Sequence, residues 1–271
     1  MTGLHDRGVL LLEHTFIHIQ GIGSKTEQRL WAKGIRSWRD FLDHGEDIFS
    51  PARDDFVRGE LEDSISHRQD VRYFCDRLPA GETWRLFDAF RSRTVYLDIE
   101  TSGGHQGFDE ITVIGIYDGR CVQTFTDGIN LDDFEIAISR YDLVITFNGS
   151  AFDLPFIRRR FPGISLPPGH IDLRFLFKKL GYAGGLKKIE KHFGIHRDAG
   201  IEGLNGFHAI GLWQNYLLGD PKALDTLIRY NRADTVNLEA LMKIGYRKMK
   251  ARLLEPGGNT PDNEKNNPDR Q

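Results

Sequence analysis

Three short apolar segments follow one another between residues 94 and 126, and they constrain the fold more than any other feature of the sequence. Residues 94–99, 111–117 and 121–125 have the β-branched and aromatic content of strands, and Asp118-Gly119 forms a tight turn between the last two. Beyond them the pattern predicts a helix at residues 131–140, a buried strand at 143–147, a helix at 150–160, a short strand from 170 and helices from 173 to 250. A three-stranded meander followed by alternating helices and strands predicts an α/β fold, a mixed five-stranded sheet flanked by helices.

The sequence outside this body divides into further segments. Residues 1–50 predict a small N-terminal helical unit, in which Ser24 caps a helix and Glu27 completes a capping box. Residues 51–92 predict a helical connector, and residues 93–250 form the main domain. Residues 251–271 have few apolar side chains and predict a disordered tail.

Composition excludes some classes of protein. No apolar stretch approaches the length of a membrane span, and the N-terminus lacks the pattern of a signal peptide. The two cysteines stand far apart, which favours a reducing, cytoplasmic location and gives no zinc motif. The net charge of −3 leaves nucleic acid open as a partner, because phosphate binding depends on local charge and bound cations reverse the sign of an acidic site.

Acidic residues stand at three places where predicted elements begin or end. Asp98 and Glu100 close the first strand, and residues i and i+2 of a strand project from the same face. Asp153 falls in the first turn of a helix, where a structural cap and a metal ligand are both expected. Tyr230 and Asp234 are four residues apart on a helix, so the phenol and the carboxylate share a face. Each pattern alone is weak, since about five acid-x-acid pairs arise by chance in such a composition.

Together and in this order, the motifs resemble those of the DEDD superfamily of 3′–5′ exonucleases, which has the ribonuclease H-like fold. That family has D-x-E on the first strand, an Asp early in a helix, and Y-x-x-x-D on a late helix in its tyrosine branch, DEDDy, which the spacing of Tyr230 and Asp234 matches. The segment TFNGSAFDLPFI is similar to the second exonuclease motif of family B DNA polymerases. Over the whole chain, the sequence most resembles the YprB-like ribonuclease H domain proteins.

The resemblance implies hydrolysis of phosphodiester bonds at the 3′ end of single-stranded DNA or RNA, with two divalent metal ions, Mg²⁺ or Mn²⁺. Such hard cations take oxygen ligands, which fits a site made of carboxylates. It also implies that Asp98 bridges the two ions, that Glu100 and Asp234 bind the ion that activates water, and that Asp153 binds the other. Tyr230 is expected to orient the attacking water beside Asp234.

The same resemblance implies substrate contacts near these residues. The backbone at Thr101 and Ser102 is expected to meet the terminal 3′-hydroxyl. Asn148 and Phe152 are expected to contact the penultimate nucleotide, Phe152 by stacking, while a core position is the alternative for Phe152. Basic clusters at residues 158–160, 178–179 and 187–191 predict a track for the phosphate backbone, solvated helix faces, or both.

A second nucleic-acid site is suggested by Gly21-Ile22-Gly23, a glycine turn between two predicted short helices. It resembles the helix–hairpin–helix unit, whose backbone N–H groups bind phosphate without reading the base sequence. The resemblance implies contacts by Gly21, Gly23 and Lys25. A module that serves only for packing is the alternative interpretation.

Two other functions are compatible with the same fold. One is a structure-specific endonuclease, which the spacing of Tyr230 disfavours. The other is a non-catalytic nucleic-acid-binding protein, which the loss of a carboxylate would have favoured, whereas all four are present. Metal titration separates this second alternative from an enzyme, because a binding module needs no two-ion site.

Overall fold

The computed structural model describes residues 10–104 and 109–254. The strands are β1 (Thr94–Thr101), β2 (Ile111–Tyr117), β3 (Val122–Thr126), β4 (Leu143–Thr146) and β5 (Gly169–Asp172). The α-helices are α1 (Ser24–Ala32), α2 (Trp38–Leu42), α3 (Pro51–Ser66), α4 (Val71–Cys75), α5 (Phe134–Ile138), α6 (Asp153–Arg160), α7 (Leu173–Lys179), α8 (Leu186–His192), α9 (Gly206–Leu217) and α10 (Pro221–Leu254). Short 3₁₀ helices lie at Leu11–His14, Thr83–Leu86, Arg91–Arg93 and Leu131–Asp133.

The five strands form one sheet in the order β3-β2-β1-β4-β5. β1 pairs with β2 and β2 with β3 in antiparallel fashion, as the meander with its turn at Asp118-Gly119 predicts. β4 joins β1 and β5 joins β4 in parallel, each after a helix. The predicted α/β fold with a mixed five-stranded sheet is therefore confirmed.

Helices cover both faces of the sheet. Val95, Leu97 and Ile99 of β1 belong to a hydrophobic cluster that includes side chains of α5 and α6. Tyr96 belongs to a second cluster, which includes Leu238 of α10. Because successive strand residues point to opposite faces, the even-numbered positions of β1 face α10, and the two acids of this strand are among them.

Residues 10–92 are helical and have a hydrophobic cluster of their own. Phe16 and Trp38 of the predicted N-terminal unit and Leu61 and Phe74 of the predicted connector belong to the same cluster. The two segments therefore share one core, and their division into separate domains stays a prediction.

The predicted capping box at Ser24 and Glu27 is wrong. Gly23 is the N-cap of α1, and Ser24 is the first residue of the helix. Glu27 is buried: its carboxylate accepts the N–H of Phe16 at 2.8 Å and pairs with the guanidinium of Arg85 at 2.9 Å. An arginine 58 residues away in the sequence therefore holds the carboxylate that the local pattern assigned to the start of the helix.

The last helix is longer than predicted. α10 ends at Leu254, so residues 251–254 are helical and do not belong to the predicted tail. The rest of that tail, residues 255–271, lies outside the described residues, as do residues 1–9 of the N-terminal unit. Within the described ranges, no helix combines the length and the apolar character that crossing a bilayer requires.

Candidate active site

Three of the predicted carboxylates converge where α10 crosses β1. Asp98 and Glu100 project from one face of β1, and Asp234 approaches them from α10. One oxygen of each carboxylate lies within 4.8 Å of the other two. Glu100 and Asp234 are buried, being 7% and 6% exposed. The sheet and its longest helix thus bring together acids that are 136 positions apart at most along the chain.

Asp153 reaches the same strand from α6. It lies in the first turn of that helix, as predicted, although the helix begins at Asp153 itself and not at about residue 150, and it is buried. Its Oδ1 accepts the backbone N–H of Ile99 at 3.1 Å. Since Ile99 lies between Asp98 and Glu100, the fourth carboxylate adjoins the other three.

Burial of four acids in one place raises their pKa values. The pKa values of Asp98 and Glu100 lie well above the usual range, first through burial and then through the negative charge of Asp234. Burial raises the pKa of Asp153 to about 7. Burial also raises the pKa of Asp234, although neighbouring cations oppose that rise. Ionising all four together is unfavourable unless positive charge is added.

The donor atoms fit a divalent cation. All are carboxylate oxygens, and Glu100 Oε1 is buried without a hydrogen-bond partner among the described residues. Such an unpartnered buried oxygen destabilises the fold unless something binds it. Mg²⁺ and Mn²⁺ prefer oxygen ligands of this kind, so Asp98, Glu100 and Asp234 could hold a metal ion.

Asn231 holds Asp98 in place. It is fully buried on α10 and donates through Nδ2 to Oδ2 of Asp98 at 3.0 Å and to the Asp98 backbone oxygen at 3.2 Å. α10 comes this close to β2 because residue 115 is glycine: a Cβ on Gly115 would lie 2.3 Å from Oδ1 of Asn231. Sequence reasoning missed Asn231, whose signal is its position between Tyr230 and Asp234 on one helix.

Tyr230 is buried beside Asp234 and has a cationic partner. Lys187 of α8 donates from Nζ to the Tyr230 Oη at 2.5 Å and also contacts the backbone oxygen of Leu204. Burial, followed by the charge of Asp234, raises the pKa of Tyr230, so the phenol keeps its proton. Lys187 lies in one of the predicted basic clusters, but no sequence pattern indicates its contact with this tyrosine.

A second cation, Arg197, touches Asp234 directly. Arg197 follows α8, its side chain is 6% exposed, and it forms one ion pair with Asp234 and another with Glu190 at 2.7 Å. Together with Lys187, it opposes the rise that burial imposes on the pKa of Asp234. Sequence reasoning missed Arg197 as well, since no motif marks it.

Asp109 holds the three residues Thr101 to Gly103 at the end of β1. The carboxylate of Asp109 accepts hydrogen bonds from the hydroxyls of Thr101 and Ser102, each at 3.1 Å, and from the N–H of Gly103 at 2.8 Å. The backbone N–H of Ser102 donates to the Glu110 oxygen at 2.9 Å. Both donors of Ser102 therefore have partners within the protein, and its predicted role as a substrate donor would require these bonds to open.

Asn148 and Phe152 lie in the turn between β4 and α6. Asn148 has a φ of +69°, which a residue with a side chain rarely adopts and which is concentrated at functional sites. Its N–H donates to Asp172 at 2.8 Å, and its Oδ1 accepts from Arg174 at 2.5 Å. Phe152 is 38% exposed and packs against Phe156, so the alternative that it is a core residue is wrong.

The N-terminal glycine turn lies in the helical part of the chain, residues 10–92. Ile22 of this turn belongs to the hydrophobic cluster of that part. Gly21 has a φ of +79°, and Arg53 donates to a backbone oxygen of the same turn at 2.5 Å. The first of the two expected helices is a single 3₁₀ turn, Gly23 caps the second, and Lys25 is exposed. A cavity of about 400 Å³ beside the turn is lined by nine residues, three of them basic: Arg29, Lys33 and Arg53.

A family model described as the RNase H superfamily matches residues 95–246, which is more than half of the chain. No curated protein matches the sequence.

Several solved structures are similar to this chain. The family B DNA polymerase from the hyperthermophilic archaeon Pyrobaculum calidifontis is 17% identical, with a TM-score of 0.44, over 58% of this chain and 24% of the polymerase. The Nibbler EXO domain of Aedes aegypti is 10% identical, with a TM-score of 0.43, over 64% of this chain and 91% of that domain. RNase D of Escherichia coli, an exoribonuclease involved in structured RNA processing, is 15% identical, with a TM-score of 0.41, over 64% of this chain and 46% of RNase D. The chain thus spans about a quarter of the polymerase and less than half of RNase D.

Proposed function

This chain belongs to the RNase H superfamily, and on that premise we propose that it is a metal-dependent exonuclease that hydrolyses single-stranded nucleic acid from its 3′ end. The observation that carries the proposal is the convergence of Asp98, Glu100 and Asp234, whose oxygens lie within 4.8 Å of one another. Asp153 adjoins them, and Tyr230 stands beside Asp234. The arrangement supplies the carboxylate oxygens that divalent cations take as ligands when they catalyse such a hydrolysis.

The four carboxylates would hold two divalent cations, Mg²⁺ or Mn²⁺. When bound, the cations supply an activated water and neutralise charge on the attacking and leaving oxygens of the phosphodiester. The raised pKa values support the proposal, because acids that ionise with difficulty gain most from a cation that replaces their protons. Asn231 would keep Asp98 turned toward the other ligands through its hydrogen bond at 3.0 Å.

Tyr230 would orient the attacking water and would not remove its proton. The pKa of this phenol is raised, so a phenolate is not available near neutral pH. Lys187 donates to the phenol oxygen, which leaves the hydroxyl hydrogen free to point toward Asp234 or a water beside it. Removing the hydroxyl should therefore slow the reaction without abolishing it.

The 3′-terminal nucleotide would lie against the backbone of Thr101 and Ser102, at the end of β1. The penultimate nucleotide would lie at Asn148 and Phe152, where the exposed ring can stack on a base. Arg174, which pairs with Asn148 at the same turn, adds a cation for the phosphate backbone.

The catalytic domain in this proposal is residues 93–250, and the N-terminal helical part adds a second contact with nucleic acid. Gly21, Gly23 and Lys25 would meet the phosphate backbone there. Arg53, which closes the glycine turn, and the basic cavity beside it support this assignment.

The test uses 5′-labelled single-stranded DNA and RNA with Mn²⁺, Mg²⁺ or EDTA. We expect a metal-dependent ladder that shortens from the 3′ end, absent for Asp98→Ala and slower to form for Tyr230→Phe. Asp132→Ala is a matched control, because this aspartate is 85% exposed and should be dispensable. Equal activity in the wild type and Asp98→Ala would refute the assignment of the site.

The alternatives give different products in the same assay. A structure-specific endonuclease would cut circular single strands or junctions, which an exonuclease leaves intact. A non-catalytic binding protein would retain both substrates without shortening either of them.

A further inference from the structure

Arg197 makes contacts that the proposed reaction does not explain. Its Nε and Nη2 donate to the carboxylate of Glu190 at 2.7 to 2.9 Å, and Nη2 also contacts Asp234. Asn237 of α10 donates to Glu190 at 2.9 Å, so the partner of the arginine is itself fixed. The buried carboxylate of Glu190 therefore holds the guanidinium against Asp234, a proposed metal ligand.

One nitrogen of this guanidinium lacks a partner. Nη1 of Arg197 is buried and has no hydrogen-bond partner among the described residues. Leaving a charged donor buried and unpaired destabilises a fold, so an acceptor is expected to reach it in another state of the protein. Carboxylate and phosphate are the acceptors that a guanidinium matches bidentately, and of these two it is phosphate that the nucleic-acid substrate would bring to the site.

The balance of charge at the site also indicates a phosphate ligand. Five carboxylates, the four of the site and Glu190, surround two cations, Lys187 and Arg197. Two divalent cations would balance the four site carboxylates, and one of the two basic side chains would balance Glu190. One positive charge then remains, which the single negative charge of a phosphodiester would neutralise and which a terminal phosphate, of charge about −1.5 to −2, would more than neutralise.

We propose that Arg197 is a positioning residue that changes partners, from Asp234 in the metal-free protein to the substrate phosphate when metal and nucleotide are bound. This proposal rests on the proposed function. While Arg197 pairs with Asp234, it competes with a metal ion for that carboxylate and repels the ion. A nucleotide phosphate draws Arg197 away, so metal and nucleotide each strengthen the binding of the other.

The test measures Mn²⁺ binding by the electron paramagnetic resonance of free Mn²⁺, with and without a deoxynucleoside 5′-monophosphate, and needs no turnover. For the wild type, we expect the nucleotide to strengthen Mn²⁺ binding about tenfold, within the usual range of such coupling. Arg197→Gln should bind Mn²⁺ alone about tenfold more tightly than the wild type, and the nucleotide should no longer strengthen it. A nucleotide blank without protein corrects for Mn²⁺ bound by the nucleotide itself.

Two further variants separate this role from a structural one. Arg229→Gln is the matched control: Arg229 is half exposed, pairs with Asp198 on the same side of α10, and should leave Mn²⁺ binding as in the wild type. Arg197→Gln leaves Glu190 as an unpaired buried charge and could unfold the protein, so Arg197→Gln/Glu190→Gln removes both charges. This double variant should fold, as thermal unfolding would record, and should still lose the strengthening by the nucleotide.

The outcomes distinguish the two proposals. If the wild type binds Mn²⁺ and the nucleotide strengthens that binding equally in the wild type and in both Arg197 variants, the exchange of partners is wrong and the exonuclease proposal stands. If the wild type binds no Mn²⁺ at all, the metal site fails and both proposals fall with it.

Discussion

Replacing Asp153 by asparagine should stabilise the metal-free protein while removing its activity. Asp153 is 3% exposed, and burial raises its pKa from 3.8 to about 7. Between these two values the folded protein binds more protons than the unfolded chain does, so stability falls as the pH rises through this window and stays low above it. Asparagine cannot ionise, yet it keeps an oxygen that can accept the N–H of Ile99.

The size of the effect follows from the change in pKa. A rise from 3.8 to about 7 corresponds to about 4 kcal/mol at pH 8, at about 1.4 kcal/mol per pH unit. At pH 5 the gain should be about two fifths as large, because only about 1.2 of the roughly 3.2 pH units between the two pKa values have been crossed. For a chain of this size, the gain at pH 8 corresponds to a rise in Tm on the order of 10 °C.

The assay is thermal unfolding in EDTA at pH 5 and pH 8, repeated with Mn²⁺. Mn²⁺ should raise the Tm of the wild type more than that of Asp153→Asn. The difference in Tm between the two proteins should therefore be smaller with Mn²⁺ than in EDTA. Asp54→Asn is the matched control, since this buried carboxylate accepts the N–H groups of Ile48 at 2.8 Å and Phe49 at 3.2 Å and is not among the charges that raise the pKa of Asp153. That variant should lose about 1–3 kcal/mol at both pH values. The reasoning would be refuted if Asp153→Asn were no more stable than the wild type at pH 8. It would also be refuted if the gain in stability over the wild type were as large at pH 5 as at pH 8.

Three other predictions concern packing, charge and metal affinity. Gly115→Ala would place a Cβ 2.3 Å from Oδ1 of Asn231 and 2.4 Å from Oγ1 of Thr235. Urea unfolding should therefore show a free energy of unfolding lower by about 1–3 kcal/mol, and the nuclease assay a lower rate. An unchanged free energy of unfolding would contradict this prediction. Glu27→Gln leaves the buried Arg85 with Glu82 as its one remaining charge partner among the described residues, and it should cost about 1–3 kcal/mol in thermal unfolding. The double variant Glu27→Gln/Arg85→Met should recover much of this loss, and equal stability of the single and double variants would count against a stabilising buried ion pair. Mn²⁺ binding should weaken between pH 8 and pH 6, because protons compete for acids whose pKa values are raised, and an affinity independent of pH would exclude that competition.

The sequence by itself determined where the strands of the sheet lie and where Asp98, Glu100 and Asp153 stand on their strand and helix. Strands can be predicted from the local pattern of apolar residues. β1, β2 and β3 lie where the apolar segments and the Asp118-Gly119 turn predicted them. The shared face of Asp98 and Glu100 follows from the two-residue period of a strand, which needs no tertiary information. The position of Asp153 in the first turn of α6 could likewise be predicted, because helix beginnings have local signals, although the helix starts at Asp153 and not at about residue 150.

Only the tertiary structure decided what surrounds those acids. Glu27 has the spacing of a capping residue, yet packing buries its carboxylate beside the guanidinium of Arg85, a contact between distant residues that no local pattern records. Arg197 and Asn231 contact the site through packing between elements that are distant in sequence, and no local period records such a contact. Local periodicity fixes which way a side chain points, whereas the neighbour that it meets depends on how the sheet and α10 pack together.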